Sequence, residues 1–280
     1  MIDRRSRLAR IAQVEIPILA IIGFALAPYL WMILTSIKPA RELAEWPVHY
    51  LPREATLDHY RELITRTSFA GNLSNSLIIA CGAALAGLAV SIPAGYAFSR
   101  FRFGGRRLLM TGFLAINMFP IVLLIIPLFL LMRALGLLDT YLGVIAGHST
   151  FAIPFAIWML TSYFNTIPRE LDEAAMMDGC GPWRIYWRIV LPLSAPVLAT
   201  AAIFTFIFTY DDFLGPLIYL NDMRDYTVPL ALRSFVDATG ESRFGQLFAM
   251  STLSLIPVFL VFVFYQRLII RGITLGALKS

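Results

Sequence analysis

Six stretches of the chain, at about 14–36, 73–98, 108–132, 142–164, 193–220 and 246–269, are apolar over the roughly 20 residues that a helix needs to cross a bilayer. No other feature restricts the fold so sharply. In hydrocarbon the backbone must satisfy its own hydrogen bonds, so helix is the default for each stretch. Composition agrees. Hydrophobic residues make up 58% and charged residues 15%, against about 45–50% and about 25% in soluble domains, and mean hydropathy is +0.72. The expected fold is all-α, a polytopic membrane protein with six transmembrane helices in a single domain over 1–280. No gap holds a soluble domain of about 100 residues. Pro28, Pro93, Pro120, Pro127, Pro154, Pro216 and Pro257 fall inside these stretches, where each removes a hydrogen bond and can kink its helix.

The positive charge is distributed unevenly. With both termini inside, 14 of the 23 Lys and Arg residues lie on the inner side, most tightly as Arg100, Arg102, Arg106 and Arg107. That bias predicts cytoplasmic termini. It also accounts for a net charge of +5 without nucleic acid. Arg4, Arg5, Arg7 and Arg10 precede the first apolar run. The run is too long for a signal peptide and lacks a small-residue cleavage site, so it reads as a retained span. Two cysteines, Cys81 and Cys180, imply no disulfide framework.

Between the fourth and fifth stretches lies a patterned segment, 165–192, cytoplasmic in this topology. Thr166 is placed to cap a helix that Pro168 begins. Glu170, Asp172 and Glu173 follow in the first turn, where the helix dipole favours negative charge. Leu171, Ala174, Ala175 and Asp178 share one side by three-to-four spacing, and the two alanines allow another surface to approach closely. Gly179 suits the left-handed residue that ends such a helix. Pro182 then opens a second short helix, from Trp183 to about Val190, that leads to Pro192. A helix-turn-helix of this kind is a docking element, or else a passive interfacial helix.

The run Glu173-Ala174-Ala175, three residues, Gly179, nine residues, Ile189, one residue, Leu191-Pro192 resembles the EAA motif of ATP-binding-cassette (ABC) importer permeases, spacing included. Further stretches resemble the carbohydrate branch of the maltose and trehalose type, second subunit: Leu135-Gly-Leu-Leu-Asp139-Thr140, Ile167-Pro-Arg-Glu-Leu171, and the tail Arg271 to Lys279. The resemblance covers nearly the whole chain and implies the type I importer fold in a bacterial inner membrane. It implies coupling helices at 165–192 that seat on an ATP-binding subunit through Leu171, Glu173, Ala174, Ala175, Asp178, Gly179 and Pro192. It also implies a tail, 270–280, whose Gly276 and Lys279 reach the ATPase interface. The implied partners are a second permease subunit, two ATP-binding subunits and an extracytoplasmic solute-binding protein. ATP and Mg would bind in the partner ATPase, since this chain has no Gly-x-x-x-x-Gly-Lys-Ser/Thr pattern and no cofactor or metal site of its own.

Ionisable groups at membrane depth are costly and point to a pathway or a site. Asp211 and Asp212 lie about 27 Å beyond the start of the fifth stretch at 1.5 Å per residue, near its outer end. Either they line the translocation path, or they are solvated there or hold the partner. Tyr210 adjoins them, and Asn117 and His148 are further pathway candidates. Asn75, Ser76 and Tyr96 are polar points on the second stretch, where helix–helix hydrogen bonds explain them as well. In the outer loop 38–71, Leu57, Tyr60 and Ile64 suggest a short amphipathic helix near 56–66. It forms either a landing surface for the binding protein or a cap on the bundle. A stand-alone secondary transporter would predict inverted repeats or a mid-membrane coupling acid, and neither occurs in the sequence. An intramembrane enzyme lacks a nucleophile or metal constellation, and His49, His59 and His148 are scattered. Within the importer class, glycerol-3-phosphate or another small solute remains an alternative cargo. A phosphate would favour Arg or Lys inside the spans.

Overall fold

The computed structural model describes the backbone of residues 11–236 and 243–277, and the side chains of 13–236 and 243–266. Among these residues all regular structure is helical. The principal helices are α1 (Ile16–Ser36), α2 (Asp58–Arg66), α3 (Phe69–Arg100), α4 (Arg106–Met118), α5 (Ile121–Ala134) and α6 (Tyr141–Phe164). They continue as α7 (Glu170–Met177), α8 (Pro182–Ile185), α9 (Ala195–Tyr210), α10 (Leu214–Tyr219), α11 (Val228–Leu232) and α12 (Phe244–Ala277). Packing divides the chain into two units, 1–69 with 232–255 and 70–231 with 256–280.

Gln13–Ser36, Phe69–Arg100, Tyr141–Phe164 and Phe244–Gln266 are each long and apolar enough to cross a membrane. The remaining two apolar stretches are not continuous helices: the third breaks within itself, and the fifth is bent away from the segment that precedes it and interrupted after Tyr210. Helices α4 and α5 meet at 103°, and the Pro182–Leu193 segment meets α9 at 74°. At the first break Pro120 has no N–H to give to a helix, and Phe119 before it is extended with ψ 130. The fifth span, expected over 193–220, ends at Tyr210. A new helix, α10, starts after it, and the Asp212 carboxylate accepts the Gly215 N–H at 2.6 Å. Pro28, Pro93, Pro127, Pro154 and Pro257 lie inside unbroken helices. Proline alone therefore does not break these spans. The expected tail is a direct continuation of α12, helical through Ala277.

In the first unit, α2 matches the short helix expected near 56–66 but turns a different face inward. Leu63 and His59 are buried, while Leu57 and Ile64 are exposed. His59 faces inward because its Nε2 meets the Lys38 carbonyl at 2.8 Å, so an apparently polar position is satisfied. Tyr60 exchanges a hydrogen bond with Ser36 at 2.6 Å.

The second unit is held by polar pins as well as apolar packing. Asn72 and Asn75 on α3 donate to the carbonyls of Tyr226 and Arg224 at 2.8–3.1 Å. The Ser76 hydroxyl accepts the Val228 N–H at 2.8 Å. These residues therefore anchor the connection that carries Arg224, Tyr226 and Val228, and Asn75 also joins two spanning helices, its Oδ1 accepting the Tyr141 hydroxyl of α6 at 2.7 Å. The 135–140 connection turns through two left-handed residues, Gly136 (φ 68) and Asp139 (φ 56). Thr140 then caps α6 by accepting from Gly143 N. The Asp139 carboxylate accepts the Asn221 N–H at 2.6 Å and its side-chain amide at 3.1 Å. Those bonds, the backbone one foremost, hold the Asp139 carboxyl below its ordinary value. A carboxyl depressed on folding contributes stability above its unfolded value and loses it as pH falls through the folded one. Asp139→Asn is therefore expected to lower the thermal midpoint at neutral pH, with the difference from wild type closing in acid titrations below about pH 4.

Candidate functional site

The first site is the hairpin 165–192. Helix α7 carries Glu170, Asp172 and Glu173 in its first turn, and its N-cap position is Arg169 rather than Thr166. Thr166 instead donates its hydroxyl to the Tyr163 carbonyl at 2.8 Å, closing the end of α6. Gly179 ends the helix at φ 78. Around it the N–H of Cys180 reaches the Ala175 carbonyl at 2.9 Å and that of Gly179 reaches Met176 at 3.0 Å. This is the Schellman pairing, which an L-residue would enter only with strain.

The two faces of α7 divide differently from the expectation. Ala175 is buried with Leu160, Phe164, Ile167, Ile185 and Val190, so it packs the hairpin onto the C-terminal end of α6. That corrects its assignment to the docking face. Leu171, Glu173, Ala174, Met177 and Asp178 are exposed, with Met177 at 89%. Gly179 and Pro192 are exposed as well. Trp183 and Trp187 also stand out from the second arm, which runs through a π-helical turn at Tyr186–Val190. Sequence reading did not single out these tryptophans as surface residues.

Asp172, at i−3 from Ala175, points inward too. Its Oδ2 lies 2.7 Å from Arg100 Nε at the end of α3, with both side chains nearly buried (7% and 12% exposed). Arg100 Nε lies off the hydrogen-bond axis toward this carboxylate, so charge holds the pair. The Arg100 guanidinium also donates to the carbonyls of Phe164 and Ile167 at 3.2–3.3 Å. Arg169 reaches back to the Ser99 carbonyl at 3.1 Å, and Ser99 donates to Asn165 at 2.9 Å. The hairpin is thereby clamped to the ends of two spanning helices. A cavity of about 200 Å³ beside it is bordered by Tyr96, Arg100, Asp172 and Glu173.

The second site lies at the far end of α9. A groove of about 560 Å³ is lined by Thr200, Phe204, Phe208, Asp211 and Asp212 among others. Phe204 packs on Phe155 with centroids 4.6 Å apart and rings tilted by 31°, and it is parallel to Phe208 at 6.4 Å. His148 on α6 is buried, and its Nε2 stands 3.6 Å from Asp212 Oδ2. Three pathway candidates, His148, Asp211 and Asp212, are thus brought together. The other two are not. Tyr210 is buried against Ala80, Ala84 and Phe206, away from the groove, because the helical turn places it opposite Asp212. Asn117 is exposed and donates to the Phe113 carbonyl on its own helix at 3.0 Å. Gly276 falls in the last turn of α12, where side chains lie outside the described residues, as does Lys279 entirely. Among the described residues no cluster of His, Cys, Asp or Glu is arranged to hold a metal.

Residues 87–275 match the family model for the inner membrane component of binding-protein-dependent transport systems. The trehalose transport system permease protein SugB of Mycobacterium tuberculosis is 37% identical over 264 residues, covering 93% of this chain and 94% of its own. The trehalose/maltose transport system permease protein MalG of Thermococcus litoralis is 35% identical over 271 residues, covering 94% and 97%. A chain of a bacterial ABC transporter involved in import of the acidic polysaccharide alginate superposes with a TM-score of 0.79 at 24% identity, covering 95% of this chain and 98% of that one. The fold is therefore that of the type I importer permeases.

Proposed function

We propose, from the premise that the chain belongs to the family of binding-protein-dependent transport system inner membrane components, that it is one permease subunit of an ATP-driven sugar importer. The observation that carries the cargo class is near-full-length likeness to permeases named for trehalose and maltose. In this reading a second permease completes the translocation path. Two ATP-binding subunits, holding ATP and Mg, dock on the inner side, where both termini lie. An extracytoplasmic binding protein delivers the sugar.

The exposed face of α7 supports the coupling role. Leu171, Ala174 and Met177 form a small apolar ridge, and Glu173 and Asp178 beside it offer charge to basic groups on the ATPase. Closure of the ATPase dimer on ATP pushes the hairpin, which moves as one body. The Arg100–Asp172 clamp passes that motion to α3 and α6, and the permease pair alternates its access. Gly276 and Lys279 extend the same contact from the C-terminal end.

The test is co-expression with the partner permease, the ATPase and the binding protein. Wild type is expected to assemble and to show ATPase activity stimulated by the binding protein. Glu173→Lys places like charge against the basic docking groups and is expected to lose the stimulation and weaken assembly. Unchanged assembly and stimulation would remove this face from coupling.

A further inference from the structure

The groove at the end of α9 combines features that neither lipid nor an apolar partner helix satisfies. Asp211 and Asp212 stand about 24 Å along the helix from Ala195, and no Lys or Arg lines the groove beside them. Asp212 accepts the Gly215 N–H on Oδ2 and Asp211 is exposed, so two carboxylates facing lipid there would still be costly. Burying them against apolar protein would leave their remaining lone pairs unmet. Next to them, Phe204 and Phe208 expose parallel ring surface. Asp212 also borders a second, small cavity of about 20 Å³ with His148, Gly215 and Tyr219, about the volume that one water or hydroxyl needs. The buried His148 Nε2 has no hydrogen-bond partner there. Gly215 keeps this corner open, since a Cβ on it would come within 2.7 Å of Asp212 Oδ2 and 3.2 Å of the His148 ring.

We propose that this subunit contacts its cargo directly in this groove, as a site for a neutral, polyhydroxylated sugar. The inference rests on the sugar-import reading above. The ring faces of Phe204 and Phe208 take the apolar C–H face of a pyranose. Asp211 and Asp212 accept its hydroxyl protons. One hydroxyl enters the small cavity and exchanges a hydrogen bond with His148 Nε2. Aromatic faces with a few fixed polar groups are the usual construction of such a site. The paired carboxylates also select against acidic sugars, because like charges brought together cost binding energy.

The test uses the assembled importer in nanodiscs, with Cys81 and Cys180 replaced by serine and Ile207→Cys reporting from the groove wall. Its labelling by a water-soluble maleimide is followed with maltose, trehalose, glucose or glucuronate as the probe. At least one neutral sugar is expected to slow labelling, and glucuronate is not. Asp212→Asn, which loses the charge on one hydrogen bond, and Phe208→Ala, which loses a ring face, are each expected to weaken that protection by about tenfold or more, measured against the same variant's sugar-free labelling rate. An unlabelled Ile207→Cys would mean that a partner helix or lipid fills the groove and would overturn the proposal. Labelling that no neutral sugar slows, protection by glucuronate, or protection indifferent to both substitutions would overturn it too. Uptake by wild type is measured in parallel. Uptake of a sugar that leaves Ile207→Cys unprotected sinks only the site, whereas no uptake of any neutral sugar sinks the import reading beneath it.

Discussion

Arg100→Leu is expected to destabilise the protein by about 3–5 kcal/mol, because it leaves the Asp172 carboxylate buried without its counter-charge. The geometry gives the reason for so large an effect. Both side chains are nearly buried, and Asp172 Oδ1 has no hydrogen-bond partner to share the charge. The same substitution strips donors from the Phe164 and Ile167 carbonyls. The double variant Arg100→Leu, Asp172→Leu removes both charges and is expected to recover a large part of the loss, though not the carbonyl caps. Thermal unfolding of the detergent-solubilised protein, with both single variants and the double, measures the coupling between the two sites. Strictly additive losses would show that the pair does not act as a unit. In the assembled importer the single variants are expected to lower transport per ATP hydrolysed, since the hairpin is then less firmly tied to α3.

The second large effect is expected at Gly143, in the first turn of α6. Its N–H caps on the Thr140 hydroxyl at 3.0 Å, and that hydroxyl donates to the Leu137 carbonyl at 2.7 Å. A Cβ on Gly143 would overlap the Leu137 carbonyl oxygen. That atom is backbone, fixed by the left-handed turn at Gly136 and Asp139, so it cannot rotate away as a side chain can. Gly143→Ala is expected to destabilise by about 1–3 kcal/mol through overpacking, despite the better helix propensity of alanine. An unchanged or raised thermal midpoint would show that the connection yields at no cost.

Much of the hairpin was legible in the sequence because its signals are local. An acidic first turn, a left-handed glycine and a proline opening the second arm each act within a few residues, and all three stand in the structure. The direction each face points was not legible. Ala174 and Ala175 are equivalent as residue types, yet only Ala175 meets α6, since helix spacing defines a stripe without saying what lies beside it. The stripe of Leu57, Tyr60 and Ile64 misled in the same way: Leu57 and Ile64 are exposed, and His59 faces inward because its hydrogen-bond acceptor is a carbonyl 21 residues away. The Arg100–Asp172 pair spans 72 positions and leaves no periodic trace.

The six apolar stretches required helices in a membrane, because nothing else satisfies the backbone there. Their lengths gave four spans nearly as they stand. Tertiary structure alone decided that the third and fifth are broken, that Tyr210 turns away from the groove, and that His148 meets Asp212 across 64 residues. Hydropathy records how much of a segment avoids water. It carries no information on which polar groups at the ends of different helices find one another, because that pairing depends on the packing of the whole bundle.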